Sequence, residues 1–220
     1  MKKFIVLDTE ATETGKVDAA NLAKGAQVYD LGYLIADKNG TVYLERRLII
    51  GDVFGNADAM SSAYYAAKLP GYYAALANGS AKLVSLREAL QTLKADALEH
   101  GTSDVWAFNA YFDRTALNST IERASNGWRT WALPYGMGWR CIMQFAGSTI
   151  CKTKKYRKFC ETNGYLTPRG QVRKTAEAIL QYLKEDTYSE EHTALQDARD
   201  ELEILVACMK RKKKQPRRIG

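Results

Sequence analysis

The sequence has little of what a zinc site or a disulfide framework requires. Its 220 residues include two histidines and four cysteines, and no two cysteines have the Cys-x-x-Cys spacing of a zinc ligand pair. We therefore expect no zinc site and reduced thiols, as in a cytoplasmic protein. No apolar run approaches the roughly 18 residues that span a bilayer, so no membrane association is expected. The apolar start of the chain ends at Asp8, too early for a secretory signal.

Positive charge is concentrated in two stretches of the chain. The formal net charge is +7, and residues 210–220 carry seven lysines and arginines, so that residues 1–209 are neutral as a whole. Between Lys152 and Lys174, eight lysines and arginines stand against Glu161 alone. Such a basic segment is typical of a phosphate-backbone binder, although a solvated helix face would have the same composition. We expect one domain over residues 1–209 and a basic, mobile tail over residues 210–220.

Hydrophobic patterning predicts an α/β protein with a mixed central sheet flanked by helices. Strands are expected at Phe4–Leu7, Val28–Ala36, Val42–Ile49 and Val105–Phe108. Helices are expected at Leu86–Ala97, Ala116–Ala124, Ile142–Ala146, Ala176–Leu183 and Leu195–Met209. Asn39-Gly40 is expected to supply the positive φ angles of a tight hairpin, and Ser85-x-x-Glu88 a capping box. Residues 52–84 indicate short helices with loops, and residues 126–149 are otherwise irregular.

The first polar cluster is Asp8-Thr9-Glu10, which directly follows the apolar strand Phe4–Leu7. Alternate side chains of an extended chain point to the same face, so Asp8 and Glu10 are expected to project together while Thr9 faces away. Two adjacent carboxylates repel each other, and a divalent cation with oxygen ligands is the simplest way to offset that repulsion. The pair alone is a weak signal, because Asp-x-Glu is common in loops.

The second cluster is Asn109-Ala-Tyr-Phe112-Asp113, at the end of the strand Val105–Phe108 and the start of a helix. Open α/β sheets bind ligands at such strand ends. A carboxylate in the first helical turn also has a purely structural explanation, because it is favourable against the helix dipole. Considered alone, Asp113 therefore fits both interpretations.

The third cluster is His192-Thr-Ala-Leu-Gln-Asp197, at the head of the last predicted helix. Five residues of ideal helix would separate His192 and Asp197 by about 140°, so both can face one site only if His192 precedes the helix. A histidine in that place suits a proton acceptor, although a surface or capping histidine is the commoner finding.

Taken together, the clusters resemble the DEDDh family of 3′-5′ exonucleases, which includes polymerase proofreading subunits, ribonuclease T and oligoribonuclease. The matching elements, in order, are Asp8-x-Glu10, Asn109-x-x-Phe112-Asp113 and His192-x4-Asp197. The resemblance covers Lys3 to Met209 in outline, and it implies a ribonuclease H-like fold. It also implies release of nucleoside 5′-monophosphates from the 3′ ends of DNA, single-stranded or frayed.

The resemblance further implies two divalent cations, Mg²⁺ or Mn²⁺. Asp8 would bridge both ions, with Glu10 and Asp197 on the ion nearer the attacking water. Asp113 would serve the second ion, and His192 would take the proton from the water. Residues in the positions of substrate contacts are Thr9, Ala11, Thr12, Asn109 and Phe112.

Several departures from the family pattern leave the substrate open. The stretch Ala11–Gly15 lengthens the loop after Glu10, and Phe108 stands where relatives often have histidine. Residues 52–84 and 126–149 match nothing in the family. An RNA-directed exonuclease of the same family is therefore an alternative, as is a non-catalytic nucleic-acid-binding or polymerase-associated module. The expected partner is nucleic acid, DNA before RNA, with a polymerase or replication protein as a further candidate.

Overall fold

The structure is a computed structural model that describes residues 2–12, 25–61, 69–129, 131–184, 193–211 and 214–219. Its strands are β1 (Lys3–Ala11), β2 (Val28–Asp37), β3 (Val42–Ile50), β4 (Lys82–Val84), β5 (Asp104–Ala107) and β6 (Gly138–Cys141). Its helices are α1 (Gly51–Phe54), α2 (Ala57–Ser61), α3 (Leu69–Ala77), α4 (Leu86–Glu99), α5 (Ala110–Ala124), α6 (Ile142–Thr149), α7 (Lys154–Thr162), α8 (Ala176–Lys184) and α9 (Ala194–Lys210). No helix in these ranges is long and apolar enough to cross a bilayer.

The strands form one mixed sheet in the order β4-β3-β2-β1-β5-β6. The neighbours β1, β2 and β3 are antiparallel, whereas β5 is parallel to β1 and β6 is parallel to β5. This arrangement confirms the predicted mixed sheet. Because β1 and β5 are parallel, the residues that follow them lie at the same edge of the sheet.

The sheet is covered on both faces, which explains why apolar residues on both sides of its central strands are buried. Ile5 and Leu7 of β1 belong to the core cluster that contains α1, α4 and α5 residues, whereas Val6 belongs to the cluster formed with α6 to α9. In β5, Val105 and Trp106 divide between the two clusters in the same way. Alternation therefore places each apolar residue in one of two cores, on opposite sides of the sheet.

The β2–β3 hairpin is present, but its turn differs from the expected one. Among the described turn residues, Gly40 has a positive φ, of 89°, and Asn39 does not. The backbone carbonyl of Asp37 accepts a hydrogen bond from Gly40 N at 3.0 Å. The side-chain Oδ1 of Asp37 accepts a second one from Asn39 N at 2.8 Å. The aspartate side chain thus stabilises a longer turn in which glycine alone adopts the left-handed conformation.

Strands β4 and β6, of three and four residues, were not predicted. In β6, burial alternates so that Trp139 and Cys141 are buried, but two such residues are too few to reveal a period in the sequence. The capping box is formed in part: Ser85 Oγ accepts from Glu88 N at 3.1 Å, whereas Glu88 Oε1 pairs with Lys82 Nζ at 3.0 Å.

Arg218 and Ile219 of the C-terminal tail contact the end of the sheet, while the domain boundary at residue 209 and the mobility of the tail stay predictions. Ile219 forms an antiparallel bridge with Trp139 of β6. Asp104 Oδ1 accepts hydrogen bonds from Arg218 Nε at 2.9 Å and from Arg140 Nε at 3.0 Å. Arg218 of the basic tail thus pairs with a buried carboxylate at the end of the sheet.

Asp104 predicts an acid-sensitive contribution to stability. Burial would raise its pKa, but hydrogen bonds from Lys2, Arg140 and Arg218 outweigh burial and hold the pKa at about 2. The stabilisation is therefore complete above the unfolded pKa of about 4 and is lost as pH falls towards 2. Asp104→Asn should lower the free energy of unfolding at pH 7 by about 1 to 2 kcal/mol, because two of the three partners are partly exposed. Urea unfolding measured from pH 7 to pH 2 should show that the difference in free energy of unfolding between the wild type and Asp104→Asn decreases with pH. A difference that is constant over this pH range would contradict this account.

Candidate active site

The carboxylates of Asp8, Glu10 and Asp197 lie together at one edge of the sheet. One ligand oxygen from each lies within 4.8 Å of the other two. Asp8 and Glu10 project from the same face of β1, as alternation predicts, and Asp197 comes from the first turn of α9. Three oxygen donors at this spacing are suited to a hard divalent cation such as Mg²⁺ or Mn²⁺.

Gly32 allows α9 to reach these carboxylates. It pairs with Asp8 in the β1–β2 ladder, directly beneath the start of α9. A Cβ atom at this position would overlap the backbone of Ala194 and Leu195. The absence of a side chain therefore lets the helix terminus approach the sheet closely enough to bring Asp197 beside Asp8.

Asp113 reaches the site from the opposite side of β1. It lies in the first turn of α5, which begins directly after β5, and it is buried. Thr9, which projects from the other face of β1 than Asp8, donates its hydroxyl to Asp113 Oδ1 at 2.9 Å. Thr9 lines the same pocket as Asp8 and Asp113, so its expected contact with substrate stays a prediction beside its bond to Asp113. Asp113 is not one of the three acids whose oxygens lie within 4.8 Å of one another.

The electrostatics of the site favour protonated carboxyls in the absence of a cation. The pKa of Asp8 is raised well above its usual range by burial and then by the neighbouring carboxylates, of which Glu201 has the largest effect. Burial also raises the pKa of Asp113, to about 7, against the lowering effect of the Thr9 hydrogen bond. A bound cation would reverse this balance by favouring the ionised forms. The donor set therefore fits divalent metal ions.

Glu201 is a site residue to which the sequence analysis assigned no role. It is buried, lies one helical turn after Asp197, and lines the same pocket as Asp8, Asp113 and Asp197. Its Oε2 accepts from Phe108 N at 3.1 Å, which links α9 to the end of β5. The four-residue spacing from Asp197 places both on one face of α9 and was the available signal.

The other expected substrate residues divide between two pockets. Asn109 and Phe112 line the carboxylate pocket, which has a volume of about 360 Å³. Thr12 lies in a neighbouring pocket, and its Oγ1 accepts from Gln27 N at 3.0 Å. Ala11, at the end of β1, lines neither of them.

Two further expectations concern His192 and the basic segment. His192 lies outside the described residues, and α9 begins at Ala194, so its role as the proton acceptor stays a prediction. In the segment Lys152–Lys174, the exposed side chain of Lys174 lines the carboxylate pocket. It is the basic residue among the described lining of that pocket.

No family model and no curated protein matches this sequence. Among solved structures, cell-death related nuclease 4 (CRN-4) is similar with a TM-score of 0.53 at 10% identity, over 95% of this chain and 64% of that one. Exonuclease I of E. coli in complex with a 5cy-dT13 oligonucleotide is similar with a TM-score of 0.57 at 11% identity, over 96% of this chain and 41% of that one. This chain thus spans less than two thirds of either protein. The likeness confirms the predicted ribonuclease H-like fold, with a six-stranded mixed sheet flanked by helices.

Proposed function

We propose that this protein is a metal-dependent 3′-5′ exonuclease that releases nucleoside 5′-monophosphates from DNA. The observation that carries the proposal is the convergence of Asp8, Glu10 and Asp197 from two distant parts of the chain, with Asp113 buried beside them. A cluster of buried acids opposes folding unless it serves a ligand. The fold similarity to two nucleases supports the same conclusion.

The four carboxylates would hold two divalent cations, Mg²⁺ or Mn²⁺. When bound, such cations neutralise charge on a phosphodiester and lower the pKa of a coordinated water. The charges of Glu10, Asp113, Asp197 and Glu201 all raise the pKa of Asp8, so Asp8 would be a ligand near every other acid of the site. Thr9 and Glu201 would orient this set, because Thr9 hydrogen-bonds to Asp113 and Glu201 fixes the adjacent β5 terminus.

The remaining residues would bind the substrate and move the proton. His192 would accept the proton of the attacking water. Lys174 would contact a substrate phosphate. It is the residue of the basic segment Lys152–Lys174 that lines the carboxylate pocket. Phe112 and Asn109 would contact the terminal nucleotide at the mouth of the pocket.

Single-stranded DNA is the proposed substrate. Structures of Exonuclease I contain dT13 or dA16 oligonucleotides, and one is described as a complex with ssDNA. A polymerase or replication partner is proposed from the family resemblance alone. The proposed location is the cytoplasm, because all four cysteines are buried free thiols, which suits a reducing compartment.

A chelator-controlled digestion tests the proposed activity. The protein would be incubated with 5′-labelled 20-mers of single-stranded DNA and RNA, with Mg²⁺ or Mn²⁺ and with EDTA. We expect shortening from the 3′ end with metal, mononucleotide products, and no reaction in EDTA. A faster reaction on RNA would favour the RNA-directed alternative, and intact substrate under all metal conditions would contradict the proposal.

His192→Ala should lower kcat by about 10² to 10⁴, the usual contribution of a general base, without removing the metal ligands. Thermal scans with and without Mg²⁺ should show the same stabilisation by metal in the variant and the wild type. His100→Ala is the matched control, because it removes the only other histidine. A wild-type rate in His192→Ala would exclude that residue as the base.

A further inference from the structure

A second groove lies at the far end of α5 from the carboxylate pocket. It is bounded by α1, the first turns of α4, the last turns of α5 and residues within 125–129 and 132–135, and its volume is about 1180 Å³. We call it the aromatic groove. None of the residues that line the carboxylate pocket also lines it. It is therefore a separate surface that the proposed chemistry does not use.

Two aromatic side chains of the groove face solvent. Trp128 is 94% exposed and Tyr135 is fully exposed. Beside them, Trp131 is 61% exposed, and the Arg114 guanidinium lies 5.8 Å from the centre of its ring. Neighbouring exposed aromatics on a protein surface commonly mark a binding site, and flat faces flanked by arginine are suited to stacking with bases.

The groove is strongly basic. Its described basic residues are Arg87, Lys94, Arg123 and Arg129. Asp52 is the acid among its described lining residues, and the Asp52 Oδ2 atom accepts from Leu86 N at 2.6 Å, so this carboxylate stabilises the start of α4. The charge of the groove is complementary to a phosphate backbone.

The groove is connected to the carboxylates along α5 and β1. Asp113 and Arg123 lie in the first and last turns of α5, roughly 15 Å apart along the helix. A smaller pocket shares Gln27, Asn56 and Arg123 with the groove and extends to Thr12, two residues beyond Glu10. A strand whose end lies at the carboxylates could therefore follow this surface.

We propose that the aromatic groove binds the single-stranded nucleic acid that lies upstream of the hydrolysed 3′ end. Bases stack on Trp128 and Tyr135, and the basic side chains contact the phosphates. Stacking and phosphate contacts are independent of sequence, so the groove holds any single strand and retains long substrates between successive cleavages. This inference rests on the proposed exonuclease activity, which supplies the position of the 3′ end.

Binding without metal tests the groove separately from catalysis. The Kd of 5′-fluorescein dT20 would be measured by anisotropy in EDTA for the wild type and for Trp128→Ala/Tyr135→Ala. We expect the Kd to rise about ten-fold or more, since stacking is worth about 1 to 3 kcal/mol per base. Tyr73→Ala is the matched control, because Tyr73 is 61% exposed on α3 and does not line the groove. An unchanged Kd for dT20 in the double variant would overturn the proposal.

The salt dependence gives a second measurement. Arg87→Ala/Lys94→Ala should reduce the slope of log Kd for dT20 against log salt by roughly 1.4, because each phosphate contact on a single strand contributes about 0.7. An unchanged slope would remove these two residues from the proposed surface and contradict the phosphate contacts.

Cleavage of long and short substrates separates failure of the groove from failure of the proposed function. The dinucleotide dTdT cannot span the roughly 15 Å between Asp113 and Arg123, whereas dT20 can. We expect Trp128→Ala/Tyr135→Ala to reduce the ratio of kcat/KM for dT20 to that for dTdT by about ten-fold. If the wild type cleaves neither substrate, the proposed function fails. The Kd measured by anisotropy then decides by itself whether the groove binds single-stranded nucleic acid. If the ratio and the Kd are both unchanged while cleavage continues, the groove fails and the function stands.

Discussion

Asp8→Asn should make the metal-free protein more stable and, in the same molecule, abolish hydrolysis. Asp8 is surrounded by buried carboxylates, and its pKa is raised by burial and by their charges. A carboxyl whose folded pKa is raised binds a proton more tightly in the folded than in the unfolded state. Ionisation above pH 4 therefore costs folding free energy, and this cost increases as pH rises towards the folded pKa. The neutral amide of the variant avoids it.

The expected stabilisation is measured as a melting temperature in EDTA at pH 8. A rise of several degrees is expected, since each kcal/mol corresponds to about 2 to 4 °C in a chain of this size. The difference should shrink as pH falls through 4, because Asp8 is protonated in both states below its unfolded pKa. Added Mg²⁺ should raise the melting temperature of the wild type, because it binds the folded state, and should have little effect on the variant.

Hydrolysis should fall by at least about 10²- to 10³-fold in Asp8→Asn, because a proposed ligand of the cations that would stabilise charge on the reacting phosphate is lost. Asp104→Asn is the matched control: it makes the same change in a carboxyl whose pKa is lowered, so it should reduce stability and leave hydrolysis intact. If Asp8→Asn were instead destabilising in EDTA, Asp8 would be a structural residue and the metal assignment would be wrong.

The sequence predicted those parts of the molecule that depend on local periodicity. Alternation in β1 placed Asp8 and Glu10 on one face, and the length of the apolar run showed that β1 is buried on both sides. The start of α4 after Ser85 followed from a residue type that caps helices, and periodicity predicted α5, which begins at Ala110 rather than at Ala116. Each of these features is determined by a few neighbouring residues, so one sequence is enough to identify it.

The missed features depend on contacts between distant parts of the chain. The role of Glu201 is defined by its bond to Phe108, which is 93 residues away in sequence. Strand β6 is recognisable because it pairs with β5, and its four residues carry no pattern of their own. The charge of Arg218 placed it in the basic tail, but could not show its pairing with Asp104, which is 114 residues away in sequence. The spacing of Glu201 from Asp197 was a signal for its side of α9, but no periodic pattern marks the distant partners of these residues.

Gly32→Ala should disrupt the site more than any other single methyl addition in the core. Its Cβ would overlap the backbone of Ala194 and Leu195, and backbone cannot rotate away as a flexible side chain would. The first turn of α9 must therefore move, together with Asp197. Overpacking of this kind costs about 1 to 3 kcal/mol, and a displacement of about 1 Å in catalytic groups lowers rates by about 10². We expect both effects together.

Three measurements on Gly32→Ala distinguish a displaced site from general destabilisation. The melting temperature in EDTA should fall, the stabilisation by Mg²⁺ should be reduced, and kcat should drop by about 10² or more at temperatures where the variant is fully folded. Gly71→Ala is the matched control, because no atom lies within 4 Å of a Cβ placed there and alanine favours the helix α3. It should raise the melting temperature slightly and leave kcat unchanged. If Gly32→Ala retained wild-type metal stabilisation and kcat while folded, the position of Asp197 would not depend on the close approach of α9 to β2.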